Sequence, residues 1–298
     1  MTAAQRDRAT DGLGRRVAKR RRLRPGNALA LVLLVIACAI VLLPIGWMLT
    51  IALKPDNVAA LRIPAEWFPT RYFQFDNFVR TLTLPDRPFG LYIVNTLIIF
   101  AGNVVGTLLS CAFAGYAFAR LQFRGRERLF QLLILTMLIP WQALMVPQFL
   151  LFSSIGWYGT YLPLIVPAFL GNAFFIFLIR QYMRTIPREL DEAAVVDGAG
   201  HIRIFWSVIL PLCKPVLAVC AVFVFLGTWN DLLGPLIYLD RSSQFTVAIG
   251  LANSVTRRDT EWNLVMAANL LMMVPPILLY FALQKRLIGG IASVGLKG

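Results

Sequence analysis

Histidine is almost absent from this sequence, since His201 is the single one among 298 residues. A metal centre built from several histidines is thereby excluded, and no metal ion or cofactor is expected. No Gly-Lys dipeptide occurs either, so the chain lacks the G-x-x-x-x-G-K-[ST] loop that cradles nucleotide phosphates. Hydrolysis of ATP by this chain alone is therefore not expected. With no nucleophile–base pair visible, an enzyme is the least favoured class of protein.

Charged residues are also few, at 15% of the chain, whereas 58% is hydrophobic and the mean hydropathy is +0.68. Soluble domains are about 25% charged and about 45–50% apolar, so both values point to a membrane protein. The net charge of +14 is compatible with nucleic acid as a partner. However, the basic residues lie between long uncharged runs and form no basic groove sequence interleaved with aromatics. We expect membrane lipid, and not nucleic acid, as the partner.

The uncharged runs are long enough to cross a bilayer, for which a helix needs about 20 apolar residues. They cover 25–53, 88–119, 129–179, 215–239 (with Asp231 as its one charge) and 262–284. The run 129–179 is too long for one helix and divides at the turn-rich, aromatic stretch 153–159. The sequence therefore predicts an all-α integral membrane protein with six transmembrane helices.

The distribution of positive charge predicts the orientation of these helices. Most of the 29 lysines and arginines fall in the segments 1–27, 120–128, 180–214 and 285–298. Cytoplasmic loops carry this excess, so both termini are expected on the cytoplasmic side of the membrane. We expect 1–27 to be a basic cytoplasmic segment and 28–298 a transmembrane domain. A cleaved signal peptide is disfavoured, because the first apolar run exceeds the roughly 7–15 residues of an h-region and no small-residue cleavage site follows.

Polar groups inside the spans are the candidates for a solute pathway. Asp231 is the exception to a nearly complete lack of ionisable groups in the spans, so a carrier driven by ion coupling is disfavoured. It either lies on the pathway or reaches water at the outer end of the fifth span. Neutral side chains in the spans either contact a solute or hold helices together. Our candidates for the pathway are Asn95, Asn230 and Asp231.

Small residues recur in the second span. Gly102, Gly106, Ser110 and Ala114 follow each other at every fourth position, which places them on one face of a helix. Such a stripe allows helix backbones to approach closely. Packing within the chain is favoured over a subunit interface.

The loop 184–211 has the pattern of two short helices. Pro187 suits a first helical position, and the acids that follow it favour a helix N-terminus. Leu190, Ala193, Ala194 and Asp197 share one shallow face, and Gly198 can end the helix in a left-handed conformation. A second helical pattern runs to Pro211. The prediction is a helix–turn–helix on the cytoplasmic surface, suited to a groove on a partner protein, or else a surface hairpin needed only for folding.

This loop carries a specific resemblance. The stretch EAAVVDGA at 192–199, followed by Ile209-Leu210-Pro211 and Lys214-Pro215, resembles the EAA loop of binding-protein-dependent ABC importer permeases. The segment 229–231 and the tail 295–298 are similar to the carbohydrate branch of that family, in particular to the maltose-type second permease. The resemblance spans about residues 28–298.

The resemblance implies a subunit that forms half of a pathway and is driven by separate cytoplasmic ATPase subunits. It further implies a second permease subunit, an extracytoplasmic solute-binding protein and, as solute, a sugar. The loop residues it places at the ATPase are Glu192, Ala193, Ala194, Asp197, Gly198, Ala199, Leu210 and Pro211. Glu192 is similar to the acid that contacts the ATPase, and Gly198 to the turn after the helix. The aromatic segment 54–89 either anchors helix ends or receives the binding protein. A self-sufficient secondary carrier or channel and a membrane scaffold stay as alternatives.

Overall fold

The computed structural model describes residues 25–56, 67, 71–255 and 260–295, with side chains described between residues 29 and 284 of these ranges. Nearly all of the predicted basic segment 1–27, and the tail beyond residue 295, lie outside the described residues. Within the described ranges every regular element is helical. The chain divides into the units Met1–Trp47 and Met48–Gly298. In the first unit the described side chains 29–44 are all exposed, as suits a helix surrounded by lipid.

The α-helices, numbered in chain order, are α1 (Pro25–Ala52), α2 (Asp76–Thr83), α3 (Phe89–Arg120), α4 (Arg126–Thr136), α5 (Trp141–Ser154), α6 (Leu162–Ile165), α7 (Ala173–Thr185), α8 (Glu189–Val196), α9 (His201–Ile204), α10 (Leu210–Leu212), α11 (Lys214–Asn230), α12 (Leu233–Tyr238), α13 (Val247–Val255) and α14 (Trp262–Gly295). Short 3₁₀ turns cover Val166–Leu170 and Ser242–Gln244, and a π-helical turn covers Phe205–Ile209.

Four helical stretches are long and apolar enough to cross a membrane, namely Leu29–Ala52, Phe89–Arg120, Leu162–Thr185 and Trp262–Gln284. Two bent pairs meet the same test when their members are taken together. These are Arg126–Thr136 with Trp141–Ser154, bent by 94°, and His201–Leu212 with Lys214–Asn230, bent by 75°. The structure therefore holds four to six candidate spans, depending on whether each bent pair counts as one.

One of these bends lies beyond the point at which the sequence predicts that the second loop helix ends. Pro211 was predicted to end the second loop helix, but it lies in the first turn of α10, and the helical path continues to Leu212. The first turn tolerates proline because its N–H would be unpaired there anyway, and the preceding π turn loosens the ladder. The bend falls at Cys213 instead, and Pro215 occupies the first turn of α11.

The small residues of α3 allow close packing within the chain. A Cβ on Gly102 would lie 2.5 Å from Cγ2 of Ile165, and one on Gly106 would lie 2.7 Å from the Phe169 ring. The Ser110 hydroxyl donates to the Ala168 carbonyl at 3.0 Å. The stripe thus receives the irregular backbone that precedes α7, as favoured from the sequence.

Two apolar clusters hold opposite ends of α3. Near its C-terminus, Cys111, Ala112, Tyr116 and Ala119 pack against buried side chains of α7, of the loop and of the segment that follows it into α11, which include Ile179, Met183, Phe205, Ile209, Cys213 and Cys220. Near its N-terminus, Phe89 and Tyr92 pack with Phe225, Trp229, Val247 and Ala268. Both α3 and α11 contribute side chains to the two clusters.

Buried amides fix the segment that follows α1. The Asn77 amide, which is fully buried, donates to the carbonyls of Ala52 and Lys54 at 2.8 and 2.9 Å. The Asn263 amide donates to the Asp56 carboxylate at 2.7 Å, and Arg80 pairs with the same carboxylate at 2.9 Å. These two partners hold the pKa of Asp56 below its ordinary value. The start of α14 and α2 are thereby tied to the end of α1.

Candidate functional site

The loop 184–211 forms two helical segments with a defined turn between them. α8 begins with three acids in its first turn, which suits the positive end of the helix dipole. At its end, Gly198 adopts φ +79°. The N–H groups of Gly198 and Ala199 donate to the carbonyls of Val195 and Ala194, both at 2.9 Å, which is a Schellman termination. The left-handed glycine predicted from the sequence is present.

One side of α8 packs on the core and the other is exposed. Of the predicted face Leu190, Ala193, Ala194 and Asp197, only Ala194 packs on the core, and the other three are exposed. The inward residues are Asp191, which pairs with a buried arginine, Ala194 and, after the turn, Ala199. That the exposed part of this face meets a partner stays a prediction. The outward surface carries Glu192 among exposed apolar side chains, including Val196 at 87% and Ile202 at 75% exposure.

A buried ion pair joins α8 to the end of α3. Arg120 Nη1 lies 3.1 Å from Asp191 Oδ2, and the two side chains are only 6% and 19% exposed. Arg120 Nη2 also donates to the Ile186 carbonyl at 2.8 Å. The Tyr116 hydroxyl, one turn earlier on α3, donates to the His201 carbonyl at 3.3 Å. α3 thus contacts both ends of the loop.

The role of Arg120 was missed from the sequence, where it counted only as a positive loop charge. The sequence does carry a signal for this pair. Arg120 directly follows the uncharged run 88–119, and Asp191 lies about one helical turn before Ala194, which packs inward. Of the other two predicted loop residues, Leu210 is partly buried against the core and Pro211 is exposed. Both lie just before the bend at Cys213.

A cleft of about 640 Å³ lies between α3, α5, α6, α7, α11 and α12. Its apolar walls include Ile99, Phe152, Phe175 and Val224. Its polar lining consists of Asn103, Thr107, Gln148, Asn172, Thr228, Asp231, Tyr238 and Thr246. One carboxylate therefore faces the cleft, and no lysine, arginine or histidine is among the described residues that line it.

The apolar stretch Leu162–Thr185 is broken where it reaches the cleft. Gly171 adopts φ +91°, and Asn172 caps α7 by accepting hydrogen bonds from the N–H groups of Phe174 and Phe175 at 3.0 and 3.4 Å. Non-helical backbone at membrane depth is tolerated where it lines a polar cavity or is buried in protein. The interruption at Gly171 and Asn172 is therefore part of the cleft wall.

Three polar atoms at the cleft have no hydrogen-bond partner within the described chain. They are Asn103 Oδ1, the Tyr238 hydroxyl and Thr246 Oγ1. Thr246 is 1% and Tyr238 3% exposed. Buried polar atoms are nearly always paired, because an unpaired one loses its hydration without compensation. These three atoms lie buried in the wall of the cleft, where nothing within the described chain pairs with them.

The predicted pathway residues are not brought together. Asp231 lines the cleft, and its Oδ1 accepts the Gly234 N–H at 3.1 Å. Asn95 is buried away from it and donates to the carbonyls of Ser243 and Phe245 at 2.9 and 3.0 Å. Asn230 is exposed and donates to the Leu226 carbonyl at 2.8 Å. For both asparagines a pathway role stays a prediction.

Thr246 and Tyr238 were not predicted as cleft residues. Thr246 falls in a stretch assigned from sequence to the outer segment 240–261, and no local pattern marks it. Across the described ranges, no group of three histidine, cysteine or acidic side chains is placed to hold a metal ion.

Comparison with known proteins gives consistent relatives. Residues 102–292 match the model of a family described as the inner membrane component of binding-protein-dependent transport systems. The osmoprotective compounds uptake permease protein GgtD of Synechocystis sp. is 35% identical over 233 residues, which are 78% of this chain and 78% of that protein. The arabinooligosaccharides transport system permease protein AraQ of Halalkalibacterium halodurans is 34% identical over 226 residues, covering 75% and 79%.

Two further relatives extend the comparison. The sn-glycerol-3-phosphate transport system permease protein UgpE of Yersinia pestis is 32% identical over 210 residues, covering 70% of this chain and 74% of that protein. The fold matches a chain in the crystal structure of a bacterial ABC transporter involved in the import of the acidic polysaccharide alginate. That match has a TM-score of 0.78 at 24% identity and covers 89% of this chain and 97% of the other.

Proposed function

The chain belongs to the family of binding-protein-dependent transport system inner membrane components, and from that premise we propose how its loop and its cleft serve ATP-driven import. As a member it is a multi-pass permease subunit of an ABC importer in a bacterial plasma membrane. The loop 184–211 docks on a separate ATPase subunit. The cleft forms half of the pathway for an uncharged, hydroxyl-rich solute, and a second permease subunit forms the other half.

This function requires a particular topology. Each bent helix pair is one span, which gives six, and both termini are cytoplasmic. The bias of basic residues toward 120–128 and 180–214 supports this orientation. α8 and α9 then lie on the side where ATP is available. The segment with exposed Trp67, Phe73 and Phe75 lies outside, where a solute-binding protein delivers its cargo.

The surface of the loop supports docking on a protein. Val196 and Ile202 are among its most exposed side chains, and exposed apolar surface at a fixed place on a loop marks an interaction site. Glu192 stands beside them and supplies a charge that fixes the orientation of the partner. The Schellman turn at Gly198 holds this surface in one shape before the partner binds. Pre-organisation of this kind reduces the entropy lost on docking.

The lining of the cleft supports an uncharged solute. The amides and hydroxyls of the lining offer both donors and acceptors, the chemistry that binds a sugar or a polyol. An anion would face Asp231 with no cation beside it, which is unfavourable in a cavity of low dielectric constant. Among the relatives, one takes osmoprotective compounds, one arabinooligosaccharides and one sn-glycerol-3-phosphate. We place this chain with uptake of the uncharged class.

The observation that carries the proposal is the exposed surface around Glu192 on a rigidly held helix, and Glu192→Lys tests it. The tagged chain is solubilised from its native membrane, and its companions are identified by mass spectrometry. We expect the unchanged chain to bring down an ATPase and a second permease, and Glu192→Lys to lose the ATPase while keeping the permease.

The matched control is Glu189→Lys, on the same helix, where the side chain is also exposed and also lies in the first turn. Both changes remove a similar interaction with the helix dipole. Equal loss of the ATPase in the two variants would contradict a specific role for Glu192. A homo-oligomer without any ATPase would point instead to a self-sufficient carrier.

A further inference from the structure

α3 differs from the other long helices in being uninterrupted. It runs over 32 residues without an internal proline, whereas α1 contains Pro44 and α14 contains Pro275 and Pro276. Its C-terminal residue Arg120 holds the loop, and its middle carries Asn103 and Thr107 at the cleft. These positions are separated by roughly 20–25 Å at about 1.5 Å per residue along the axis. A continuous helix without an internal proline passes a displacement along its axis with less bending than an interrupted one.

Two other routes from the loop to the cleft are broken within the described chain, whereas α7 runs without a break from the start of the loop to Phe175 in the cleft wall. The path into α11 passes a π turn and the 75° bend at Cys213. On the path through α4, that helix meets α5 at 94°. A displacement of the loop would be absorbed at each of these breaks, because π turns and non-helical residues are where helices flex.

The contact between α3 and the loop is charged and buried, unlike the apolar contacts around it. Arg120 and Asp191 are almost removed from water, and Arg120 also bonds to the Ile186 carbonyl just before α8. If either charge is removed, the other is left buried without its partner, which strongly disfavours that arrangement. An ion pair in this setting therefore keeps α8 and α3 in one register.

We infer that the Arg120–Asp191 ion pair is the joint through which movement of α8 is passed along α3 to the cleft. The two residues are positioning residues, because neither faces the cleft, and Asp191 points away from the docking surface around Glu192. This inference rests on the proposed function. It adds that docking of the ATPase and transmission to the cleft depend on different side chains of the same helix.

A cysteine at the cleft reports transmission without knowledge of the solute. Gln148→Cys is introduced together with Cys38→Ala, since Cys38 is the exposed one of the four native cysteines and the others are buried. The complete complex, purified from the native membrane and reconstituted in liposomes, is labelled with a water-soluble maleimide. The labelling rate is compared with and without AMP-PNP and Mg²⁺. We expect nucleotide to change the rate by roughly fivefold or more, the range of ordinary coupling between sites.

Four variants of the pair are compared in this background. Asp191→Asn and Arg120→Gln remove a charge at nearly constant size, and we expect them to keep the ATPase in the complex but to lose the response to nucleotide. Asp191→Glu and Arg120→Lys keep the charge and should retain the response, which a general packing defect would not allow. Glu189→Gln, an exposed acid on α8, serves as the control and should respond normally.

Four other outcomes would contradict the inference, each for a different reason. A full nucleotide response in Asp191→Asn and Arg120→Gln would show that the pair transmits nothing. Loss of the ATPase from these variants would show that the pair only shapes the docking surface. No response even with the pair intact would show that α3 does not drive the cleft. Absence of any ATPase from the unchanged complex would refute the proposed function itself.

Discussion

The three acids of α8 have different surroundings, although they look alike in the sequence. Glu189, Asp191 and Glu192 all lie in the first turn and all suit the helix dipole. The structure separates them, because Asp191 is paired inside with Arg120 while Glu192 is exposed. Breaking a buried pair by removing one partner costs about 3–5 kcal/mol, whereas an exposed acid contributes little to folding. Glu192, which is exposed, is therefore available to contact a partner protein.

Gly198 is the residue whose backbone geometry is most demanding in the loop. Its φ of +79° disfavours any side chain, although no atom lies within 4 Å of a Cβ built there. We expect Gly198→Ala to destabilise the turn by about 1–2 kcal/mol, the cost of a left-handed conformation for a residue with a Cβ. The measurement is the melting temperature of the purified complex, together with the amount of ATPase it retains.

Gly200→Ala is the control for this prediction. Gly200 also has open space around it, but its φ is −75°, a value that any residue adopts. It should therefore leave both readouts close to those of the unchanged complex. If the two alanines were equally mild, the left-handed conformation of Gly198 would not constrain the loop.

At the scale of elements, the positions at which helices are interrupted draw attention to the cleft. Pro140 stands in extended conformation before α5, and the chain turns by 94° there. Gly171 and Asn172 interrupt the stretch Leu162–Thr185 beside the cleft. Unpaired backbone in lipid costs several kcal/mol per group, so such breaks persist only where protein or a polar cavity receives them. Their clustering near one cleft supports the proposal that this cleft is part of the solute pathway.

Whether each bent pair crosses the membrane can be tested by reporter fusions. With six spans and cytoplasmic termini, green fluorescent protein at either terminus should fluoresce, because it folds in the cytoplasm. Alkaline phosphatase fused after Tyr158 should be active, since the stretch 153–159 would lie outside. The same enzyme fused after Gln122 or Gly200 should be inactive. An inactive fusion at Tyr158 would mean that α4 and α5 form a re-entrant loop and that the span count is lower.

At the scale of the whole molecule, charge is distributed by function. The positive charges lie mainly in segments flanking the apolar runs, and their bias supports the proposed orientation in the membrane. The cleft, by contrast, is lined by neutral polar groups and one carboxylate in the part of the chain that the structure describes. The cleft is therefore weakly acidic, although the chain as a whole is basic.

This difference predicts which solutes the complete importer accepts. In proteoliposomes containing the importer and its binding protein, we expect ATP hydrolysis to rise with an uncharged member of a panel of oligosaccharides, α-glucosides and polyols. Anionic members, sn-glycerol-3-phosphate and alginate oligomers, should not stimulate it, because they would meet Asp231 without a compensating cation. Stimulation by the anionic members alone would refute the assignment of the cleft to uncharged solutes.

The sequence by itself determined the features that depend on local composition and short spacing. Uncharged runs of about 20 residues or more predict helices that cross a membrane, because their length must match the bilayer. The spacing of the loop predicts a helix ended at Gly198, since only residues within one turn are involved. The small stripe of α3 predicts close helix packing for the same reason. Membership of the family followed from EAAVVDGA at 192–199 and is confirmed by the relatives.

Only the tertiary structure decided which side chains meet across long separations. Arg120 and Asp191 are 71 positions apart in the chain, and Thr246 reaches the cleft from far beyond α3. The pairing of Asp191 with a buried arginine could not be read from the sequence, because the periodicity of apolar residues does not show which charged groups meet inside the fold. In the same way, only the structure shows that the Asn95 amide donates to two backbone carbonyls. Pairing energies of this kind depend on distance and burial in space, which local patterns do not contain.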